Sequence, residues 1–262
     1  MNPWLKNSMA ILGVPFEQPL WLRKEFARSD AYCVVNKEIL IGFWDYSHSL
    51  RRFLNLKLHH QYGIKKIIYM QRNENPFWDS HDIPVMSGWI WATDWLNFIK
   101  MQPSIRERYL KTSHTVVGSS GKIWRERLPW IEAMKPLVQD LCYWNTRKRP
   151  DNDYWGRICT WRAAICLMGK KDKCSAGRNR REIEFPACGV PLILNYIPYA
   201  PYDPLIPNEH FYLCEKPENL DLAIKDVCAY GKELADNAYQ WYERNGTKEG
   251  MVKLWKETLL PR

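Results

Sequence analysis

Residues 174–196, CSAGRNRREIEFPACGVPLILNY, carry the densest chemistry in this chain. Ser175, Ala176 and Gly177 form a small-residue loop that lets backbone N–H groups approach an anion. Arg178, Arg180 and Arg181 crowd the start of a short basic helix, where the macrodipole already favours negative charge. Glu184 follows Arg181 by three residues and shares its helix face. Gly189 ends the helix, and residues 190–194 are apolar enough for a core strand of a parallel sheet. Cations for a diphosphate, with a carboxylate one turn away for a ribose diol, suit a nucleotide-sugar. The competing reading makes Glu184 a surface glutamate paired with Arg181 or Arg180, and Ser175 and Gly177 parts of an ordinary loop.

A second anion candidate is Gly118-Ser119-Ser120-Gly121-Lys122, between a short apolar strand and a helical stretch. A strand, a glycine loop and a helix together aim N–H groups at phosphate, and Lys122 or Arg125 adds charge. Lone glycine loops are common, so a plain connection stands beside that reading.

The elements that position these residues follow from periodicity. Residues 1–30 contain Pro3, Pro15 and Pro19 and read as an irregular arm packed on the body. Residues 31–36, 39–44 and 65–70 read as strands, 47–62 as a helix stopped by Gly63, and 93–100 and 104–111 as two helices. Beyond 112, strands are expected at 115–117, 137–144, 163–168, 190–194 and 211–214, and helices at 123–135 and 154–162. Three more helices are expected at 219–230, 232–244 and 248–259. Alternation of this kind argues for parallel sheets with crossover helices and ligands beyond the carboxyl ends of the strands.

The bulk numbers exclude several classes. The 262 residues suffice for one large or two small domains, with 46% hydrophobic and 26% charged residues. A net charge of +9 asks for an anionic partner, yet no basic run is long enough for a nucleic-acid tail. Fourteen tryptophans fill cores or stack on sugar rings. Eight cysteines occur without a C-x-x-C pair, which suits buried thiols in a reducing compartment rather than disulfides or zinc. No stretch has the length of a membrane helix and no signal-peptide core opens the chain, so a soluble cytoplasmic protein is expected.

Arg181-x-x-Glu184-x-x-x-x-Gly189-Val190-Pro191, followed by 207–212 (PNEHFY) and 216–220 (KPENL), resembles the nucleotide-sugar segment of GT-B glycosyltransferases. It is most similar to their exostosin-like and CgeB-like groups, over roughly the last hundred residues. The resemblance implies an α/β fold of GT-B type, with two Rossmann-like layers facing a cleft and the N-terminal one reduced. Residues 1–112 then form the acceptor side, 113–245 bind the nucleotide-sugar, and 246–262 form a helix returning to the first domain. The resemblance also implies that Glu184 holds the ribose and Arg181, with Arg178, the pyrophosphate. Tyr143 or Trp144, at the end of its strand, stacks on uracil or packs in the core.

The resemblance places the catalytic base in the N-terminal half, where Asp45, His48, Asp79, His81 and Asp94 are candidates; Asp45 serves equally as a helix cap. Retaining relatives carry an acid eight positions before the ribose glutamate; here that position is Ala176, which leans toward inversion. The implied reaction moves a sugar from a UDP-sugar, UDP-xylose first, to an oligosaccharide hydroxyl without cofactor or metal. An anchor-free chain is similar to bacterial enzymes and to those of large algal viruses that glycosylate their capsids, which places a viral one in the host cytoplasm. Two alternatives remain open. One is a non-catalytic, aromatic-rich binder of glycan or nucleic acid. The other is a metal-dependent GT-A enzyme using Asp151 and Asp153, whose D-x-D string is otherwise a turn and helix cap.

Overall fold

In the computed structural model the described residues are 3–42, 48–69, 80–87, 93–144, 154–167, 181–198 and 203–260. They fall into two compact units, one of residues up to 98 with those from 251 on, the other of residues 99–250. The divisions thus lie at 98/99 and 250/251, against sequence expectations of 112/113 and 245/246.

The first unit is built on a four-stranded sheet in the order β1 (Tyr32–Val35), β2 (Ile39–Gly42), β3 (Lys66–Tyr69), β4 (Val85–Ser87). β1 and β2 pair antiparallel, and β2–β3 and β3–β4 pair parallel. Asn36 and Lys37, both at positive φ, close the first hairpin, as a tight turn between right-twisted strands requires. The expected irregular arm is partly helical: α1 spans Pro3–Leu12 and α2 Trp21–Glu25. Pro3 is tolerated because the first helical residue needs no N–H partner, and Leu5, Met9 and Leu12 are buried. The single helix expected over 47–62 is two, α3 (His48–Asn55) and α4 (Leu58–Gln61), separated where Lys57 adopts a left-handed φ of 52°. Phe26, Tyr32, Leu50, Phe53 and Leu54 fill the core beside them. Trp21 stacks on Tyr62 at 4.3 Å, and the Tyr62 hydroxyl donates to the buried Glu25 at 2.8 Å.

α5 (Thr93–Lys111) runs unbroken through Pro103, where two helices were expected. Burial of Ile105 and Tyr109 and a 2.6 Å bond from Gln102 Nε2 to Ala187 O offset the lost backbone bond.

The second unit holds a five-stranded sheet, all parallel, in the order β6-β5-β7-β8-β9. Its strands are β5 (Val116–Lys122), β6 (Asp140–Trp144), β7 (Trp161–Cys166), β8 (Leu192–Leu194) and β9 (Tyr212–Leu213). The connecting helices are α6 (Leu128–Met134), α7 (Tyr154–Ile158), α8 (Arg181–Cys188) and α9 (Leu220–Asn245). α10 (Lys248–Leu254), continued by a π-helical turn over Trp255–Leu259, carries the chain into the residues from 251 on that belong to the first unit. α6 starts five residues later than expected, with Pro129 in its first turn after a 3-10 turn at Arg125–Arg127. α9 is one helix where two were expected. Gly231 does not break it; the residue is small because a Cβ there would meet Val227 at 2.9 Å and Pro191 at 3.0 Å.

Residues 118–121, expected as a loop, are strand. They pair in register with β6 on one side, and Gly118 and Ser119 pair with β7 on the other. Gly118 is small for packing: its Cβ would lie 2.0 Å from Trp161 Cε2. Trp161 is fully buried, and its Nε1 donates to Asp140 at 2.7 Å; Arg157 also pairs with Asp140.

Candidate functional site

From β5 the chain moves outward to β6, then returns past β5 to β7 and continues the other way. Connections therefore leave β5 and β7 in opposite directions. In parallel α/β sheets ligands bind beyond the carboxyl ends of the strands at such a reversal.

Ser119, Ser120 and Gly121 bring β5 to this edge, Tyr143 brings β6, Leu167 follows β7, and Arg181 begins α8. A Cβ placed on Gly121 would lie 2.9 Å from Arg127 Nη1, 3.1 Å from Tyr143 Cε1 and 3.2 Å from Arg181 Nη1. Two guanidinium groups thus converge on one glycine. At a separation of at most about 6 Å, set by that shared contact, their repulsion is on the order of 3 kcal/mol at an effective dielectric of 20. Glu184 offsets part of that repulsion at Arg181. Arg127 is buried and its Nη2 donates to Leu167 O at 2.7 Å, which fixes one side of the fork. Ser119 Oγ donates to Ile165 O at 2.8 Å and bonds the Tyr143 hydroxyl at 2.9 Å. Ser120 Oγ is buried with no hydrogen-bond partner among the described residues. Such an orphan costs free energy unless something else completes it.

Two carboxylates lie on the inner side of α8. Tyr154 OH donates to Glu184 Oε2 at 3.0 Å, and Tyr196 OH donates to Glu182 Oε1. Burial alone would lower the Arg181 guanidinium, but Tyr154, Cys166, Tyr143 and Glu184 outweigh it and hold the group cationic. Burial raises Tyr143, partly offset by its bond to Ser119 and by Arg181 and Arg127, and pushes the Cys166 thiol up to about 11. Both are raised, which favours their neutral forms.

Several residues singled out from the sequence meet here, in altered roles. Arg181 and Glu184 share the first turns of α8 as expected, but the helix is not a basic surface helix. Residues 182–188 are all buried, and Glu184 is 2% exposed with one oxygen held by Tyr154. Glu184 therefore faces inward as a partner of Arg181 and Tyr154, where an accessible ribose ligand was expected. Gly118, Ser119, Ser120 and Gly121 belong to a strand, so they present a strand end rather than a nest of loop amides. Lys122 and Trp144 end β5 and β6 at the same edge. Arg125 sits exposed in the 3-10 turn, and the buried Arg127, which the sequence reading passed over, supplies the charge. Its one sequence signal is position: directly before a helix with proline in its first turn, after a glycine-bearing strand.

Ser175, Gly177, Arg178, Arg180, Asp151, Asp153, Asp45 and Asp79 lie outside the described residues. Of the other base candidates, His48 is exposed and opens α3, Asp94 lies in the first turn of α5, and His81 lies just ahead of β4. Among the described residues no helix is long and apolar enough to cross a membrane, and the cysteines are free thiols, with Cys33, Cys159, Cys166, Cys188 and Cys214 buried.

No protein-family model matches the chain, and no curated protein matches it. Solved structures do. The glycosyltransferase from Rickettsia africae ESF-5 aligns with 80% of this chain and 66% of its own at 13% identity and a TM-score of 0.48. The GtfA/B complex aligns with 86% of this chain and 61% of its own at 11% identity and a TM-score of 0.42. The chain thus spans less than two thirds of either neighbour's length.

Proposed function

We propose that this chain is a glycosyltransferase of GT-B type that takes its sugar from a nucleoside-diphosphate donor. The observation that carries the reading is the convergence of Arg127 and Arg181 on Gly121, at the strand-order reversal of a parallel sheet. Paired guanidiniums match the oxygens of a diphosphate, and their attraction grows as the leaving nucleoside diphosphate gains charge. The resemblance of residues 181–191 to exostosin-like and CgeB-like enzymes supports the same assignment.

In this reading the diphosphate lies against Arg127, Arg181 and the end of β5. Glu184 and Tyr154 brace Arg181, and Tyr143 or Trp144 meets the base, uracil being first choice. One of Asp45, His48, Asp79, His81 or Asp94 takes the acceptor proton in a direct, inverting displacement. The acceptor is a glycan hydroxyl, and UDP-xylose is the first donor to try. Positive charge from the arginines lets the reaction run without metal, so EDTA leaves the rate unchanged.

Calorimetric titration with UDP tests the site directly. Arg127→Met and Arg181→Met are expected to weaken UDP at least tenfold each, a loss of about 1.4 kcal/mol or more. UDP affinity untouched by both substitutions would remove the site. Binding of UDP-sugars with no release of UDP across a donor and acceptor panel would leave a nucleotide-sugar binder and end the transferase reading.

A further inference from the structure

The first unit carries a side-chain cluster that the proposed reaction does not use. His59 and His60 are consecutive in α4, and Asp82 lies in the turn ahead of β4. His59 Nε2 is 3.0 Å from Asp82 Oδ1, and His60 Nε2 is 2.9 Å from Asp82 Oδ2. One ligand atom from each of the three residues lies within 4.8 Å of the others. Neighbouring residues on a helix point about 100° apart, so two imidazoles reach one carboxylate only when their side chains turn toward each other. These do, with ring centroids 4.2 Å apart.

We propose that His59, His60 and Asp82 form a binding site for a divalent transition metal of the zinc(II) class. Two imidazole nitrogens and one carboxylate oxygen, with water in the fourth position, are a donor set that zinc accepts. Ligand atoms about 2.0–2.2 Å from a tetrahedral zinc stand roughly 3.3–3.5 Å from one another. The observed 3.0 and 2.9 Å spacings run to the two different Asp82 oxygens, and the three ligand atoms lie within 4.8 Å of one another, so a rotation of the exposed Asp82 and His60 side chains brings both imidazoles and one oxygen to that separation. Burial differs along the site in a useful way. The His59 side chain is 2% exposed and locked by packing, whereas those of His60 and Asp82 are 61% and 44% exposed and leave the ion an entry path.

Two neighbours bear on the ion. Lys57 Nζ lies 3.6 Å from Asp82 Oδ2 on a side chain that is 69% exposed, so an arriving cation displaces it at little cost. His81 is close enough for its charge to act on His59. Bound metal would tie α4 to the turn that enters β4, joining segments more than twenty residues apart in sequence. Its effect is then chiefly on stability, in a unit distinct from the one carrying the arginines.

The untagged full chain, stripped with EDTA and dialysed against buffered zinc chloride, is expected to retain about one zinc per chain by mass spectrometry. Cobalt(II) in its place gives visible d–d absorption. His60→Ala and Asp82→Asn, both at exposed side chains and checked for folding by circular dichroism, are expected to weaken zinc at least tenfold and to lose the cobalt band. Zinc at a hundredfold excess over the parent's Kd raises the melting midpoint of the parent by on the order of 5 °C or more, and that of each variant by about half as much or less. A parent chain that retains well under one zinc overturns the proposal. So do the two variants if they bind zinc as the parent does, because the ion would then sit elsewhere.

Discussion

Gly118→Ala separates two meanings of the same glycine. As a phosphate-loop residue, Gly118 would be needed for ligand and nearly indifferent for stability. In the structure it is a packing residue, because its missing Cβ leaves room for the Trp161 indole. An alanine Cβ would lie 2.0 Å from Cε2, 2.1 Å from Cδ2 and 2.5 Å from Nε1 of that ring. Carbon atoms settle at about 3.5 Å or beyond, so the ring must retreat by roughly 1.5 Å. Trp161 is fully buried, and overpacking of this kind costs about 1–3 kcal/mol. The same retreat strains the 2.7 Å bond from Nε1 to the Asp140 carboxylate, worth a further 1.5–3 kcal/mol or so. A total loss of about 3–5 kcal/mol is expected, measured by urea unfolding followed with circular dichroism. Gly121→Ala is the control. Its Cβ meets the ends of two arginine side chains and one tyrosine ring edge at 2.9, 3.2 and 3.1 Å, so each has to give by only a few tenths of an ångström. It is expected to cost under about 1 kcal/mol while weakening UDP roughly tenfold. A Gly118→Ala protein as stable as the parent that had lost UDP would refute the packing argument and restore the loop reading.

Two other outcomes follow from particular contacts. Tyr154→Phe removes the hydroxyl that donates to Glu184 Oε2 at 3.0 Å in a buried setting, and is expected to cost about 1.5–3 kcal/mol in urea unfolding; a change below about 0.5 kcal/mol would show that the bond carries no weight. Burial holds the His210 imidazole below its ordinary value, outweighing Glu209 and Asp203, while its Nδ1 accepts the Ile206 N–H at 2.9 Å. The folded protein then binds fewer protons than the unfolded chain between the depressed value and about 6.5. Its contribution to stability is complete above about pH 6.5 and falls as pH drops through that window. Melting curves from pH 7.5 to 5 should show this decline, flattened in His210→Gln; equal slopes in both proteins would exclude His210 as its source.

Much of the architecture was legible in local pattern. Runs such as 67–69 and 192–194 are apolar on both faces, as strands covered on both sides must be, and both lie in parallel pairings. Gly63 and Gly189 end helices at positive φ, where a side chain would be strained. Errors came where one local signal has two physical causes. Glycine at 118 and at 231 looks like a loop or a helix stop, but a residue also lacks a Cβ because a neighbour occupies its place, and only the fold reveals Trp161 or Pro191 there. Pro103 suggested a helix break that burial of the flanking turns overrides.

At the candidate site, the arginine that opens α8 and the glutamate three residues later could be read from spacing, since a helix turn fixes their relation. Which way Glu184 faces could not, because that depends on what packs over α8. The second arginine, the unpartnered Ser120 and the pairing of His59 and His60 with Asp82 were likewise invisible. Periodicity reports on neighbours along one element, whereas strand order and crossover direction bring distant residues together. The chain's own pattern therefore determined that there are helices, parallel strands and a cationic helix start. The tertiary structure decided which charges meet at the sheet's edge, because only closure of the sheet around β5 sets Arg127 beside Arg181.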